Sequence, residues 1–302
     1  MCKYLLVCLT TTLACLSAPA REAATPLIFV SIPPQKWLLR QLAGTNVNVE
    51  LLVDAGQSPH NFEPTGRRLA ALAGARAWMT IGLPFENLLT DKVRGTRPDL
   101  PVFPLHSGIP RIGGHAHTHS SHDASRHPCH DDGSDPHVWL SPAGMSIMAT
   151  NACRALCALL PEQAPRYRAA LDDLTRRLRT LHARLQDRLA PCKGHALWLY
   201  HPSWGYFTHA YGLRQVAIEQ DGHPPSARHL ARLLEQARRE RIRTVFHDPQ
   251  YDPEPLEALT HQIGAGIAVL DPLAEDWEKN MLAAAETIRQ AILPATSAPS
   301  PE

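Results

Sequence analysis

The chain lacks an excess of charge of either sign. Among its 302 residues, 30 lysines and arginines nearly balance 29 aspartates and glutamates, which leaves a formal net charge of +1. Proteins that bind nucleic acid or an anionic membrane through long-range attraction carry a basic excess. The sequence therefore argues against a nucleic acid as the partner.

An apolar run long enough to cross a membrane is also lacking at the N-terminus. The apolar stretch at residues 4–16 follows Lys3 and precedes Ala18-Pro19-Ala20. It is shorter than the about 20 residues that a membrane-spanning helix needs. This arrangement is typical of a secretory signal peptide, here residues 1–20, so we expect a periplasmic mature chain. A lipid anchor at Cys15 is the less favoured alternative.

Two series of alternating strands and helices follow. Such alternation predicts parallel sheets with crossover helices. The predicted strands are residues 27–31, 47–53, 77–81 and 102–104 in the first series, and residues 195–200, 215–218, 244–246 and 267–270 in the second. The predicted helices are residues 35–43, 65–73 and 85–92, and then residues 203–211, 227–241, 255–263 and 277–292.

Between the two series, apolar residues recur every three or four positions. This spacing predicts one amphipathic helix over about residues 163–190, which would extend roughly 40 Å at 1.5 Å per residue. The apolar positions are Tyr167, Leu171, Leu174, Leu178, Leu181, Leu185 and Leu189. We therefore predict two parallel-sheet α/β lobes, residues 25–160 and 192–295, joined by a long rigid helix at residues 161–191, with a cleft between the lobes.

Histidine is abundant and unevenly distributed. The chain has 17 histidines, and seven of them fall within residues 115–137. No leucine, isoleucine, valine, methionine, phenylalanine, tyrosine or tryptophan occurs between Ile112 and Val138, so residues 113–134 are expected to form a mobile surface loop. Imidazole is the commonest metal-binding side chain, and this loop is therefore expected to bind Zn²⁺ weakly. Its histidines are His115, His117, His119, His122, His127 and His130.

Four polar side chains lie close to the ends of predicted strands. His60 lies in the loop after strand 47–53, and His201 directly follows strand 195–200. Asp271 follows strand 267–270, and His137 follows the histidine-rich loop. In parallel α/β sheets, ligands bind at the carboxyl ends of the strands, so these side chains could converge in one cleft. Three imidazoles and one carboxylate are a suitable tetrahedral set for Zn²⁺.

Three motifs carry a resemblance to a known family. They are QSPHNFEP at residues 57–64, DPHVWLSP at residues 135–142 and HPSWGYF at residues 201–207, the last followed by YGL at residues 211–213. With these motifs in order, and a histidine-rich insertion before the second, the mature chain resembles the substrate-binding proteins of metal ABC importers over nearly its whole length. The zinc-specific, ZnuA-like group is the most similar.

The resemblance implies one metal ion between the lobes, with His60, His137 and His201 as its ligands. Asp271 matches the acidic position that closes the site in many relatives. Relatives usually carry glutamate where this chain has His247, which leaves two roles open for this residue: a hydrogen-bond partner of a metal ligand, or a substitute ligand. Manganese-type relatives tend to carry a carboxylate at the position of His201, so the resemblance implies Zn²⁺.

The resemblance also implies partners and a role. The expected partners are an ABC permease and its ATPase at the inner membrane, to which a monomer would deliver Zn²⁺. A secreted zinc hydrolase is an alternative, but the sequence contains no H-E-x-x-H motif. A manganese or iron carrier on the same fold, and an adhesin or metal buffer without a transporter, are further alternatives. We expect a zinc carrier and not an enzyme.

Four of the seven cysteines lie outside the predicted signal peptide: Cys129, Cys153, Cys157 and Cys192. Four cysteines allow three pairings, and the sequence does not choose among them. Cys153 and Cys157 lie on one face of a predicted helix, and they could equally be small buried apolar residues.

Overall fold

The computed structural model describes residues 25–113, 134–219, 223 and 225–293. The predicted signal peptide, Cys15, Cys129 and the six histidines of the loop lie outside these residues. Within the described part of the chain, no helix is long and apolar enough to span a membrane.

The first lobe contains a four-stranded parallel sheet in the order β2-β1-β3-β4. Its elements are β1 Leu27–Val30, α1 Pro33–Ala43, β2 Asn48–Leu51, α2 Gly66–Ala73, β3 Ala77–Thr80, α3 Pro84–Thr96, β4 Val102–Pro104 and α4 Pro142–Leu159. The second lobe repeats the pattern after a long helix, α5 Ala164–Leu189.

The second sheet is also parallel, in the order β6-β5-β7-β8. Its elements are β5 Ala196–Leu199, α6 Gly205–Tyr211, β6 Arg214–Ala217, α7 Ala227–Glu240, β7 Thr244–His247, α8 Glu254–Ile263, β8 Gly266–Val269 and α9 Trp277–Ile292. The prediction of two parallel-sheet α/β lobes with a long helix between them is confirmed.

Alternate residues of the inner strands pack on opposite faces of each sheet. Ile28 and Val30 of β1 belong to the main core, whereas Phe29 between them belongs to a smaller core on the other face. In β5, Leu197 lies in the main core and Trp198 in the outer core of the second lobe. Both faces are therefore buried, which explains the short continuous apolar runs of these strands.

The main core is continuous through both lobes and α5. Leu174, Leu178, Leu181 and Leu185 of α5 are buried in it, as the spacing predicts. At 26 residues, α5 is about 39 Å long, enough to contact both lobes. Because α5 packs against α1 of the first lobe and α9 of the second, a large hinge movement would expose this core.

Two tryptophans connect the lobes with hydrogen bonds. The indole Nε1 of Trp139 donates to the carbonyl oxygen of Pro272 at 2.7 Å, and the Nε1 of Trp277 donates to the carbonyl oxygen of Trp139 at 2.9 Å. Both indoles are fully buried. These bonds hold the segment that carries His137 against the segment that follows β8.

Candidate metal centre

His60 lies on the loop that connects β2 to α2. A single turn of 3-10 helix, Pro59–Asn61, presents it, and the Ser58 hydroxyl caps this turn by accepting the backbone N–H of His60 at 3.3 Å. Pro59 is buried, whereas His60 is exposed. The buried proline anchors the turn and leaves the histidine at the edge of the cleft.

His137 lies in a tight turn at the N-terminus of α4. Ser141 caps this helix by accepting the backbone N–H of Gly144 at 3.0 Å. A Cβ atom at Gly144 would lie 2.1 Å from the carbonyl oxygen of Val138, so only glycine lets the turn pack this closely on the helix. The turn buries His137 and directs it into the cleft.

His201 follows β5 at the carboxyl end of the second sheet. Its Nδ1 atom lies 2.5 Å from Oε1 of Glu219, and both side chains are buried. Glu219 follows the neighbouring strand β6, and its backbone N–H donates to the carbonyl oxygen of Tyr200 at 3.1 Å. Adjacent parallel strands therefore position the histidine and its carboxylate partner together.

The structure brings the three predicted histidines together between the lobes. One ring nitrogen of each of His60, His137 and His201 lies within 4.8 Å of the other two. The Nε2 atoms of His137 and His201 are 3.3 Å apart. Within the described residues, this is the one group of three or more histidines, cysteines or carboxylates compact enough to hold a metal ion.

The hydrogen bonds of two of these histidines fix their tautomers. Nδ1 of His137 lies 2.8 Å from Oδ1 of Asp135, and Nδ1 of His201 lies 2.5 Å from Oε1 of Glu219. A carboxylate can only accept, so each Nδ1 carries the proton and each Nε2 presents a lone pair. Two lone pairs facing each other at 3.3 Å repel unless a cation lies between them.

The surroundings of His60 and His201 favour the uncharged imidazole. Although His60 is exposed at the edge of the cleft, the protein around its ring partly desolvates it, and this, with contributions from the neighbouring His201 and His137, lowers its pKa. Burial also lowers the pKa of His201, although the hydrogen bond that its Nδ1 donates to Glu219 opposes this shift. Neutral imidazole is the form that binds a metal ion.

The geometry fits a tetrahedral zinc ion. Zn–N bonds of about 2.0–2.1 Å in a tetrahedron place two ligand nitrogens about 3.3–3.4 Å apart. The Nε2 atoms of His137 and His201 are already at this separation, 3.3 Å. One ring nitrogen of His60 lies within 4.8 Å of a ring nitrogen of each of the other two histidines.

Asp271 and His247 lie outside this group. Oδ1 of Asp271 accepts hydrogen bonds from Nε2 of Gln250 at 2.8 Å and from the backbone N–H of Leu273 at 2.9 Å. His247, the last residue of β7, is buried, and its Nε2 has no hydrogen-bond partner among the described residues. The assignment of either residue as a ligand stays a prediction.

Three further residues line the cavity and were not predicted from the sequence: Asp248, Gln250 and Tyr251. They follow β7 directly, so the carboxyl-end rule that pointed to His201 and Asp271 could have identified them too. Asp248 is buried and accepts a hydrogen bond from the Ser203 hydroxyl at 3.0 Å. Burial raises the pKa of the Asp248 carboxyl well above its usual value.

The chain is similar over most of its length to proteins of one family. The family model described as "zinc-uptake complex component A periplasmic" matches residues 28–291. A crystal structure of ZnuA superposes with a TM-score of 0.81 at 33% identity, covering 89% of this chain and all of the ZnuA chain.

Two streptococcal proteins are similar in sequence. The zinc-binding protein AdcA of Streptococcus pyogenes is 26% identical over 257 residues, which is 80% of this chain and 49% of AdcA. The zinc-binding lipoprotein AdcA of Streptococcus pneumoniae is 25% identical over 285 residues, which is 91% of this chain and 55% of AdcA. The chain thus spans about half the length of these relatives. The match over residues 28–291 shows that the chain belongs to the periplasmic zinc-uptake complex component A family, ZnuA.

Proposed function

We propose that this protein captures Zn²⁺ outside the cytoplasm and delivers it to an ABC permease and its ATPase at the inner membrane. The observation that carries the proposal is the 3.3 Å separation of the Nε2 atoms of His137 and His201, whose Nδ1 atoms are each bonded to a carboxylate. Three neutral imidazoles favour Zn²⁺ over the harder Mn²⁺. Zinc is the cargo in this proposal and not a resident cofactor.

The relatives support both the cargo and the destination. The AdcA proteins are described as zinc-binding, and the family as a component of a zinc-uptake complex. We extend these properties to the present chain, working as a monomer made of lobes 25–160 and 192–295 around a rigid helix. A signal peptide at residues 1–20 would place it in the periplasm, and a lipid anchor at Cys15 is the less favoured alternative.

Asp271 is our proposed fourth ligand. Asp271 is hydrogen-bonded to a residue that lines the cavity: Nε2 of Gln250 donates to Oδ1 of Asp271 at 2.8 Å. Binding to zinc would turn the carboxylate toward the histidines at the expense of this hydrogen bond. His247 is the proposed substitute ligand, because it is buried and its Nε2 has no partner among the residues described.

The histidine-rich loop is proposed to collect zinc weakly near the cleft. Each capture by the loop must order the chain, so its sites are expected to bind more weakly than the preformed cluster. The histidines involved would be His115, His117, His119, His122, His127 and His130.

A zinc hydrolase is the second candidate, because three histidines leave a position for water and a buried carboxyl, Asp248, lines the same cavity. A hydrolase needs a general base that can accept a proton. Asp248 already accepts the hydroxyl hydrogen of Ser203, and burial raises the pKa of its carboxyl well above the usual value. The family is described as a component of a zinc-uptake complex and the AdcA relatives as zinc-binding, and we therefore favour the carrier.

Metal content and competition titration of the mature protein test the proposal. We expect one tight Zn²⁺ that survives deletion of residues 113–134 and is lost in His60→Ala, His137→Ala and His201→Ala. His261→Ala, which removes an exposed histidine of α8, is the matched control and is expected to retain the ion. Loss of the tight ion with the loop alone, or hydrolysis of esters or peptides by the loaded protein, would count against the carrier.

A further inference from the structure

The described residues at the base of the histidine-rich loop, 110–113 and 134–135, form a stem. An antiparallel β-bridge joins its two segments. Next to this bridge, the backbone N–H of Asp135 donates to the carbonyl oxygen of Ile112 at 3.2 Å. The stem therefore holds Asp135, which bonds to the metal-site histidine His137, against the segment that precedes the loop.

Tyr206 of the second lobe holds this stem. Its hydroxyl oxygen accepts the backbone N–H of Ile112 at 3.4 Å, and its hydroxyl donates to the carbonyl oxygen of Pro110 at 3.3 Å. A phenol can donate one hydrogen bond and accept another, so the two bonds are compatible. The ring of Tyr206 belongs to α6 and is buried in the main core. A fixed side chain of the second lobe thus bonds to the stem of the first.

Gly205, the residue before Tyr206, lets the stem approach α6 closely. A Cβ atom at position 205 would lie 2.1 Å from Oδ2 of Asp135 and 3.2 Å from Cδ1 of Ile112. Both stem residues therefore rest against the backbone of α6, where a larger residue would displace them. Ile112 is common to this close packing and to the hydrogen bonds of Tyr206, so both act on the same part of the stem.

A chain of hydrogen bonds runs from Tyr206 to the metal cluster. The carbonyl oxygen of Ile112, whose N–H donates to Tyr206, accepts the backbone N–H of Asp135. Oδ1 of Asp135 accepts both the backbone N–H and the Nδ1–H of His137, each at 2.8 Å. Nε2 of His137 lies 3.3 Å from Nε2 of His201. The position of His137 relative to His201 therefore depends on where the stem holds Asp135.

The segment that carries His137 is bonded to the second lobe on its other side as well. The indole of Trp139 donates to the carbonyl oxygen of Pro272, and the indole of Trp277 donates to the carbonyl oxygen of Trp139. These bonds lie two residues after His137, whereas Asp135 lies two residues before it. Release of the stem would leave the bonds of Trp139 in place and remove the restraint on the preceding side.

We propose that Tyr206 is a positioning residue that fixes His137 in the orientation that binds zinc, acting through Ile112 and Asp135. The inference rests on the proposed function, because it takes the histidine cluster to be the zinc site. Tyr206→Phe keeps the buried ring and removes the hydroxyl. Loss of these hydrogen bonds to neutral backbone groups is expected to weaken zinc binding about fivefold.

The first measurement is the zinc affinity of the mature protein, by competition titration against a chelating dye. We expect Tyr206→Phe to bind about fivefold more weakly than the wild type. Tyr211→Phe is the matched control: it also lies on α6, is buried and loses a hydrogen bond, to the ring of His182 at 3.2 Å. Its affinity is expected to stay within about twofold of the wild type. Equal weakening by both variants would overturn the proposal, because any lost hydrogen bond on α6 would then disturb the site.

Hydrogen exchange of single backbone amides, followed by NMR in the metal-free protein, tests the route. Tyr206→Phe is expected to accelerate exchange at Ile112 and Asp135 about fivefold, because the stem loses its bonds to the second lobe. Tyr211→Phe is expected to leave both amides unchanged. Weaker zinc binding without faster exchange would overturn the proposal, since Tyr206 would then act by another route. Faster exchange with wild-type zinc affinity would overturn it too, since the stem would then not position His137.

A double-variant cycle tests whether the effect passes through Asp135. Asp135→Ala removes the carboxylate that bonds to His137, so adding Tyr206→Phe is expected to weaken zinc binding by less than about twofold in that background. A further fivefold loss would contradict the proposed route. Failure of the proposed function is a different result: the wild-type protein would then hold no zinc that depends on the three histidines, while hydrogen exchange would still show whether Tyr206 holds the stem.

Discussion

Replacing Glu219 with glutamine is expected to weaken zinc binding without removing a ligand. Oε1 of Glu219 lies 2.5 Å from Nδ1 of His201, and both side chains are buried. The carboxylate orients the ring and makes Nε2, the atom that faces the cluster, a stronger donor to a metal. Glutamine has nearly the same shape and keeps an acceptor oxygen, so the substitution isolates the effect of the charge.

The expected loss is about tenfold in zinc affinity, or about 1.4 kcal/mol. Changing a residue that hydrogen-bonds to a metal-binding histidine typically weakens metal binding by about 10–100-fold. Because glutamine preserves the hydrogen bond, we expect the effect of Glu219→Gln to lie at the low end of this range. Asp135→Asn is expected to have at least as large an effect. Oδ1 of Asp135 accepts both Nδ1 and the backbone N–H of His137, each at 2.8 Å.

The assay is competition titration against a chelating dye, using protein without residues 113–134 so that the loop does not contribute. Glu240→Gln is the matched control. This carboxylate bonds to Arg214 and Trp198, outside the lining of the histidine cavity, and its substitution is expected to leave zinc affinity unchanged. Equal affinities of Glu219→Gln and Glu240→Gln, within about twofold, would refute the role given to the carboxylate.

Three further predictions concern packing and pH. A Cβ atom at position 205 would lie 2.1 Å from Oδ2 of Asp135, so Gly205→Ala is expected to displace this carboxylate and weaken zinc binding. Gly66→Ala is its control in the same titration, because a Cβ atom at position 66 would have nothing within 4 Å. Equal zinc affinities of the two variants would contradict the prediction. Leu178→Ala, in the buried face of α5, is expected to lower the free energy of unfolding by about 2–5 kcal/mol in urea denaturation, and a change below about 1 kcal/mol would contradict its place in the core. Burial raises the pKa of Glu86 from 4.5 to about 7, so the folded state binds the proton of this carboxyl more tightly than the unfolded state does. The contribution of Glu86 to the free energy of unfolding therefore falls as the pH rises from about 4.5 to about 7. Glu86→Gln is therefore expected to gain stability relative to the wild type between pH 5 and pH 7.5. If the urea midpoints of the two proteins differ by the same amount at both pH values, the carboxyl does not titrate in this range.

The architecture was predictable because its signals are local. The repeat of apolar residues every three or four positions placed the long helix within a residue of α5, Ala164–Leu189. Strand lengths were less accurate: residues 47–53 were predicted, whereas β2 spans Asn48–Leu51. Leu52 and Val53 still donate backbone hydrogen bonds to the neighbouring segment, to Val30 and Ser31, so the ladder continues beyond the strand as assigned.

The placement of His60 and His201 followed from one topological rule, because both lie beyond the carboxyl ends of strands in parallel sheets, whereas His137 was recognised through the resemblance of its motif to a known family. Their carboxylate partners could not be read in the same way. Glu219 belongs to no motif that could be recognised in the sequence. It bonds to His201 only because β5 and β6 are neighbours in the sheet. The hydrogen bonds of Trp139 with Pro272 and with Trp277 depend on how the two lobes are packed together, which no local pattern specifies.

The most direct test of the account is a crystal structure of the zinc-loaded protein, with the ion located by anomalous scattering at the zinc edge. We expect one strong peak about 2.0–2.1 Å from a ring nitrogen of each of His60, His137 and His201. A peak that lies elsewhere, or one that fewer than three of these histidines contact, would contradict the central claim that they form a single zinc site between the lobes.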